Sequence, residues 1–260
     1  MIGAQSLERA VLILRIVSHH NRAGARLTDI TTATALAQPT VHRILAGLMN
    51  EGLVAQDRDS KRYFLGQVIA EFGLTAAARY DTSDLFRASV SRLAAESEDT
   101  VFASRRSGLD MVCVDRRSGT HPSQAFVLDV GVRRPLGVGG SSLALLSALP
   151  LAEAREILDA NARTIALFEQ APDERYYEEL AQFTRQGYAQ RDIRGIDVRT
   201  VAVPILDGEG TPFAAFSLST FHARMPPERI PAIVAMLRRE AAWVQKRLQA
   251  EQEMALEAAG

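Results

Sequence analysis

Residues 27–52, LTDITTATALAQPTVHRILAGLMNEG, decide how the first part of the chain folds. Thr28 follows Leu27 as the cap of a short helix. In that helix Ile30 faces inward and Asp29 lies at the positive helix end. Ala35, Leu36, Ala37 and Gln38 form the connection. Pro39 then sits in the first turn of a second helix, where a missing N–H has no helical partner to lose. Val41, Ile44, Leu45 and Leu48 recur at three- and four-residue steps, and Gly52 stops the helix. The opposite face carries Thr40, His42, Arg43, Ala46 and Asn50. A short helix, a brief turn and a second helix opening on small polar residues is the geometry that presents side chains to the major groove of DNA.

Upstream, Ser6 is placed to cap a helix with Leu7, Val11, Leu12, Leu14 and Ile16 on one face. Downstream, LVAQD (53–57) and KRYFLG (61–66) read as two strands around the turn Arg58-Asp59-Ser60, a two-stranded wing. Thr40 and His42 can reach base edges or phosphate, and Arg43 can pair with guanine or hold a phosphate. Arg58, Lys61 and Arg62 can grip the backbone. Thr28, Gln38 and Pro39, at the helix starts, complete the DNA-facing set. The same pattern also suits a protein-interaction module with Arg43 as a solvated surface residue.

The whole chain of 260 residues carries 30 Lys+Arg against 31 Asp+Glu, and 47% of it is hydrophobic. This excludes a disordered chain and a protein that is basic throughout. The balance is uneven: residues 1–65 hold an excess of three positive charges and the remainder an excess of four negative ones. One end alone is therefore suited to nucleic acid. Cys113, the single cysteine, has no intramolecular disulfide partner, which fits a reducing cytoplasm. No secretory signal is visible at the start, and no stretch approaches the ~18–20 apolar residues that span a bilayer, so the expectation is a cytoplasmic protein away from membranes.

Residues 67–81, GQVIAEFGLTAAARYD with the preceding glycine, lack Gly/Ser or Pro enrichment and read as a connecting helix with Val68, Ile69, Phe72 and Leu74. From residue 82 helices and strands alternate. SDLFRASVSRLAAES turns Leu85, Phe86, Val90 and Leu93 inward, TVFASRR and MVCVDRR are strands around a tight turn, and QAFVLDVG is a third strand. PLGVGG leads into the helix SSLALLSAL, and further helices follow near 152–158 and 173–186. VRTVAVPIL and FAAFSLST form a hairpin through DGEGTP, and a last helix from about Pro227 buries Ile230, Ile233, Val234, Leu237, Ala241, Val244 and Leu248. An antiparallel sheet with helices packed on it is the α+β class.

The runs SLERAVLIL, LTDITTATALAQPTVHRILAGLMNEGLV and RYFLG resemble the winged helix-turn-helix of the IclR family of bacterial transcriptional regulators. LDVGVRRPLGVGGSSLALLSALP, GYAQRD and VAVPILDGEGTPFAAFSLS resemble that family's effector-binding domain, in the same order and over almost the whole chain. The resemblance implies residues 1–66 as DNA-binding domain, 67–81 as linker helix and 82–260 as a GAF-like effector-binding and oligomerisation domain. It implies operator DNA and a small-molecule effector as partners, and a homodimer or homotetramer. It places Gly139, Gly140 and Ser141 at the pocket mouth, Thr200 where the family often has a cysteine, and Ser217 and Ser219 as paired strand serines. Asp192 represents the acidic segment. Two departures concern DNA: Ala35 replaces a turn glycine, which requires a negative φ, and Gln38 replaces a basic residue. Leu143 replaces a basic residue at the helix start, which with the apolar surroundings points to a carboxylate with an apolar, aromatic body.

Catalysis is the minor reading. GGSSL lacks the closing glycine of a nucleophile elbow, GVGGSS ends in Ser142 rather than a dinucleotide-site glycine, and no phosphate loop occurs. His19, His20, His42, His121 and His222 lack metal spacing, so neither metal nor cofactor is expected. Cys113, in an apolar strand, reads as a small buried hydrophobe.

Overall fold

A computed structural model describes the backbone of residues 2–80, 83–166, 168 and 170–259, and the side chains of 5–76, 85–166, 168 and 170–250. The chain divides into two compact units, one through residue 81 and one from residue 82.

The first unit contains α1 (Ile2–His19), α2 (Leu27–Thr34), α3 (Gln38–Asn50), β1 (Val54–Gln56), β2 (Tyr63–Leu65) and α4 (Gln67–Tyr80). Ile13 and Val17 of α1, Ile30 of α2, and Val41, Leu45 and Leu48 of α3 meet Val54 and Tyr63 in one core. The strands pair antiparallel with Val54 opposite Leu65, and Ala25 bridges Tyr63 from the α1–α2 connection through two 2.9 Å hydrogen bonds. Three expectations are corrected. α1 starts ahead of Ser6, so Ser6 is interior to the helix. Its packed face is Ala10, Ile13, Leu14, Ile16 and Val17, while Leu7, Val11 and Leu12 stay exposed. The cap of α2 is Arg26, whose N–H donates to Asp29 Oδ2 at 2.9 Å, and Thr28 lies inside the first turn.

The second unit is a six-stranded antiparallel sheet, ordered β5-β4-β3-β8-β7-β6, between two helical layers. Its strands are β3 (Thr100–Ser107), β4 (Asp110–Arg117), β5 (Arg133–Pro135), β6 (Ala189–Asp192), β7 (Val198–Leu206) and β8 (Pro212–Phe221). Alternation assigns each strand two faces. Val201, Val203 and Ile205 of β7 and Ala214, Phe216 and Leu218 of β8 pack under α5 (Ser83–Ser97) and α9 (Ile230–Ala259). On the other face Ala202 and Ala215 pack under α6 (Gly139–Ser147), α7 (Leu151–Ile165) and α8 (Glu174–Gln186). Phe86 of α5 meets Phe216 edge to face at 5.9 Å, and each such fully buried side chain contributes about 1.5–3 kcal/mol.

The expected strand QAFVLDVG is irregular chain instead. Its alternation is real, with Ala125 buried and Phe126 exposed, but side chains hold it where a ladder would. Gln124 Oε1 accepts from the Thr100 hydroxyl at 2.7 Å, and Gln124 Nε2 donates to His121 O. Arg116 of β4 also donates to Leu128 O at 3.3 Å, and backbone pairing with β4 begins at Gly131, whose N–H donates to Cys113 O at 2.8 Å, leading into β5. Cys113 is buried, and desolvation pushes its thiol up to about 12.

Candidate functional site

α3 presents Gln38, Pro39, His42 and Arg43 to solvent, with Thr40 half-buried, because its opposite side is committed to the core. Ala37 is the N-cap and Gln38 the first helical residue, so Gln38 belongs to α3 and not to the connection. The turn before it is left-handed at Ala35, with φ 52° and ψ 24°, against the expectation of a negative φ. The Thr34 hydroxyl holds this turn by accepting from Leu36 N–H at 3.3 Å while donating to Ile30 O at 2.8 Å. Thr28 is exposed on α2.

On the wing, Asp57 Oδ1 accepts from the Ser60 N–H at 2.8 Å and the Ser60 hydroxyl at 2.6 Å. These bonds hold its carboxyl below the usual value and shape the turn that exposes Arg58 and Lys61. Arg62 points elsewhere: its guanidinium donates to Ala23 O at 3.2 Å and Gly24 O at 2.9 Å, anchoring the wing to the α1–α2 connection.

In the second unit a cavity of about 180 Å³ opens between α6 and the sheet. Six of the seven expected effector residues line it: Gly139, Gly140, Ser141, Thr200, Ser217 and Ser219. The register explains the grouping, since Thr200 lies opposite Ser219 and Ala202 opposite Ser217 on one sheet face. Ser141 donates its hydroxyl to Ser217 Oγ at 2.8 Å, and the Thr200 and Ser219 hydroxyls are bonded at 2.7 Å. Gly140 is required by close approach, because a Cβ there would stand 2.8 Å from Thr200 Cγ2. Gly139 has φ 76°, a conformation that strains other residues.

The remaining wall is apolar, from Phe102, Met111, Val127 and Leu128. Two arginines join it. Arg134 of β5 is half-buried, its guanidinium 4.6 Å from the ring centroid of Phe168, and desolvation lowers its pKa from the ordinary value. Arg194, between β6 and β7, is exposed.

Asp192 stands outside this cavity, in an adjoining polar depression with Arg191 and Glu179. Arg199 donates to both its oxygens, at 2.6 and 3.0 Å, and His222 Nε2 lies 3.0 Å from Oδ1. The Arg199 hydrogen bonds are the largest cause holding its carboxyl down to about 2. His222 Nδ1 lies 2.5 Å from Asp197 Oδ1, so one imidazole brackets both ends of residues 192–197, the segment supplying Ile193 and Arg194 to the cavity. Asp192 therefore shapes the rim, correcting its expected place in the lining.

Residues 6–58 match the pattern described as the IclR helix-turn-helix domain, and residues 74–246 match bacterial transcriptional regulator IclR C-terminal. The chain belongs to the IclR family. The glycerol operon regulatory protein of Streptomyces coelicolor is 31% identical over 90% of this chain and 92% of its own length. The HTH-type transcriptional regulator KipR of Bacillus subtilis is 23% identical over 94% and 97%. An IclR homologue from Microbacterium hydrocarbonoxydans, solved in complex with 4-hydroxybenzoate, superposes with a TM-score of 0.71 at 22% identity, covering 94% of this chain and 99% of that one. As an IclR regulator, the protein combines a DNA-binding helix-turn-helix with an effector-binding C-terminal domain in an α+β fold, and it is a transcriptional regulator and not an enzyme. Among its described residues no helix is long and apolar enough to cross a membrane.

The family signature led to the hydroxyl-bearing side of this IclR pocket. Arg134, Phe168 and Arg194 were missed: Arg134 lies inside LDVGVRRPLGVGGSS, but nothing in that run shows which side chains face the pocket, and Phe168 and Arg194 lie in other segments. The register of Arg134 with Met111, which places both on the cavity side of β4–β5, is visible only once β5 is recognised as a strand.

Proposed function

We propose that this IclR regulator is a cytoplasmic homodimer, able to pair into a tetramer, that reads a pseudo-palindromic operator through α3 and the wing and responds to a small organic acid with an apolar, aromatic body. The observation that carries the effector reading is the cavity itself: apolar walls, a cluster of hydroxyls and two guanidinium groups in about 180 Å³. An apolar cavity of about 150 Å³ accepts a benzene ring, so an aromatic acid fits by volume. The 4-hydroxybenzoate bound by the Microbacterium homologue is a compound of this class.

In this reading Thr40, His42 and Arg43 of α3 face the major groove, with Gln38, Pro39 and Thr28 at the helix starts beside the phosphates. Arg58 and Lys61 contact the backbone, and Arg62 positions the wing. The two heads of a dimer read half-sites about one helical turn apart, so an effector that alters the spacing between heads, or the assembly, alters occupancy. The effector assignment is tested by thermal unfolding of the full chain with benzoate, phenylacetate, 4-hydroxybenzoate, pyruvate and hexanoate. An aromatic acid should raise the midpoint, since a ligand at a hundredfold excess over its Kd stabilises by about 2.7 kcal/mol. No shift with any aromatic acid contradicts the assignment.

A further inference from the structure

Building on the organic-acid reading of the pocket, on which this inference rests, we propose that Arg134 is the carboxylate anchor. The hydroxyl cluster takes the far, neutral end of the ligand, so that the effector is a ring-length acid with a second hydrogen-bonding group.

Arg134 and Arg194 both reach the cavity, but they are built differently. Arg134 stands on a strand, half-buried, with its planar group 4.6 Å from the Phe168 centroid. The cation–π contact, with a hydrogen bond from Nη1 to Arg133 O at 3.4 Å, restrains the guanidinium, and a carboxylate pairs with a guanidinium's fork of N–H donors; partial burial strengthens such a charge-assisted pair. Arg194 is exposed on a connection, where solvent weakens any ion pair.

The hydroxyl cluster is uncharged. Ser141 spends its proton on Ser217, and a hydroxyl has one proton, so that of Ser217 remains to be donated elsewhere. Thr200 and Ser219 share one bond between two protons, leaving a second donor. Two hydroxyl donors suit a phenol, alcohol or carbonyl oxygen.

The two ends are well separated. Arg134 is on β5 and the serines are on β8, with β4 and β3 between them. Three strand spacings of about 4.8 Å set those backbones about 14 Å apart. A separation on this scale favours an elongated acid, such as a ring substituted at opposite positions, over a two- or three-carbon one.

Calorimetric titration of the full chain tests this with 4-hydroxybenzoate, benzoate, 4-hydroxybenzyl alcohol and pyruvate, on the unsubstituted protein and on Arg134→Met, Arg134→Lys, Arg194→Ala and Ser219→Ala. Arg134→Met should weaken 4-hydroxybenzoate by about 10- to 100-fold, the scale of a lost charge-assisted hydrogen bond, while leaving 4-hydroxybenzyl alcohol nearly unchanged. That retained binding shows an intact pocket. Arg134→Lys should recover part of the loss, Ser219→Ala should narrow the gap between 4-hydroxybenzoate and benzoate, and Arg194→Ala should matter little. Arg134→Met with undiminished preference for the acid overturns the anchor while leaving the organic-acid reading standing. Pyruvate binding as tightly as 4-hydroxybenzoate overturns the two-ended ligand. If the unsubstituted protein binds no acid, the organic-acid reading fails and the anchor with it.

Discussion

Ala35 closes the turn between α2 and α3 at a positive φ of 52°. There its Cβ crowds the carbonyl oxygen, a strain of roughly 1–2 kcal/mol for a residue other than glycine. Ala35→Gly should therefore stabilise the first unit by about 0.5–1 kcal/mol, part of the relief being offset by glycine's greater freedom when unfolded. Slower hydrogen exchange at the α2 and α3 amides would show it, and faster exchange would refute it. Asp99 is the opposite case, a buried carboxylate in a polar network. It accepts from the Thr220 hydroxyl at 2.7 Å and Arg224 Nε at 2.8 Å, and Arg229 Nη1 lies 2.8 Å from its other oxygen. Asp99→Asn leaves two guanidinium groups without their shared counter-charge and should cost on the order of 3–5 kcal/mol, read as a lowered Tm. The two residues were not equally legible in the sequence. The missing turn glycine was visible, yet its backbone angle depends on how α3 packs. The partners of Asp99 lie more than 100 positions away along the chain.

At the scale of elements, α3 was readable because Val41, Leu45 and Leu48 leave only one side free for Arg43. Arg43→Ala should weaken operator binding by about 1–3 kcal/mol if the side chain makes a bidentate base contact, and unchanged affinity in a filter-binding assay would remove α3 from the interface. QAFVLDVG misled because alternation reports which side chains are buried, not whether a neighbouring strand completes the ladder. The β6–β7 connection could not be read at all without its cross-strand partners, and it carries a pH dependence. The hydrogen bonds of His222, to Asp192 first and then Asp197, raise its folded pKa above 6.5. The bracket is thus fully stabilising below the unfolded value and is lost as pH rises through the folded one. Asp192, held down to about 2 from 3.8 chiefly by Arg199, contributes above 3.8 and loses its contribution as pH falls toward 2. An NMR titration should place the His222 midpoint above 6.5, with Asp197→Asn lowering it. A midpoint at or below 6.5 would mean that the bracket is not formed.

For the whole molecule, the near-neutral total conceals a positive excess in residues 1–65 and a negative one beyond. Such a distribution favours the first unit over the second for contact with phosphate, and operator affinity should fall as salt rises. The order of family motifs was sufficient to recognise both halves of this IclR regulator, because each motif marks a turn or strand that shapes its unit. The motifs did not show that Arg134 and Arg194 line the pocket, which follows from the β4–β5 pairing and the β6–β7 connection. An acid bound in this pocket should change how the regulator holds DNA. The most direct test is the Kd for an operator duplex, selected from randomised DNA by the protein itself, measured with and without saturating 4-hydroxybenzoate. A change of about 5- to 150-fold is expected, the usual range of coupling between two sites; an identical Kd under both conditions with the acid demonstrably bound would mean that the pocket and the DNA-binding unit are not coupled.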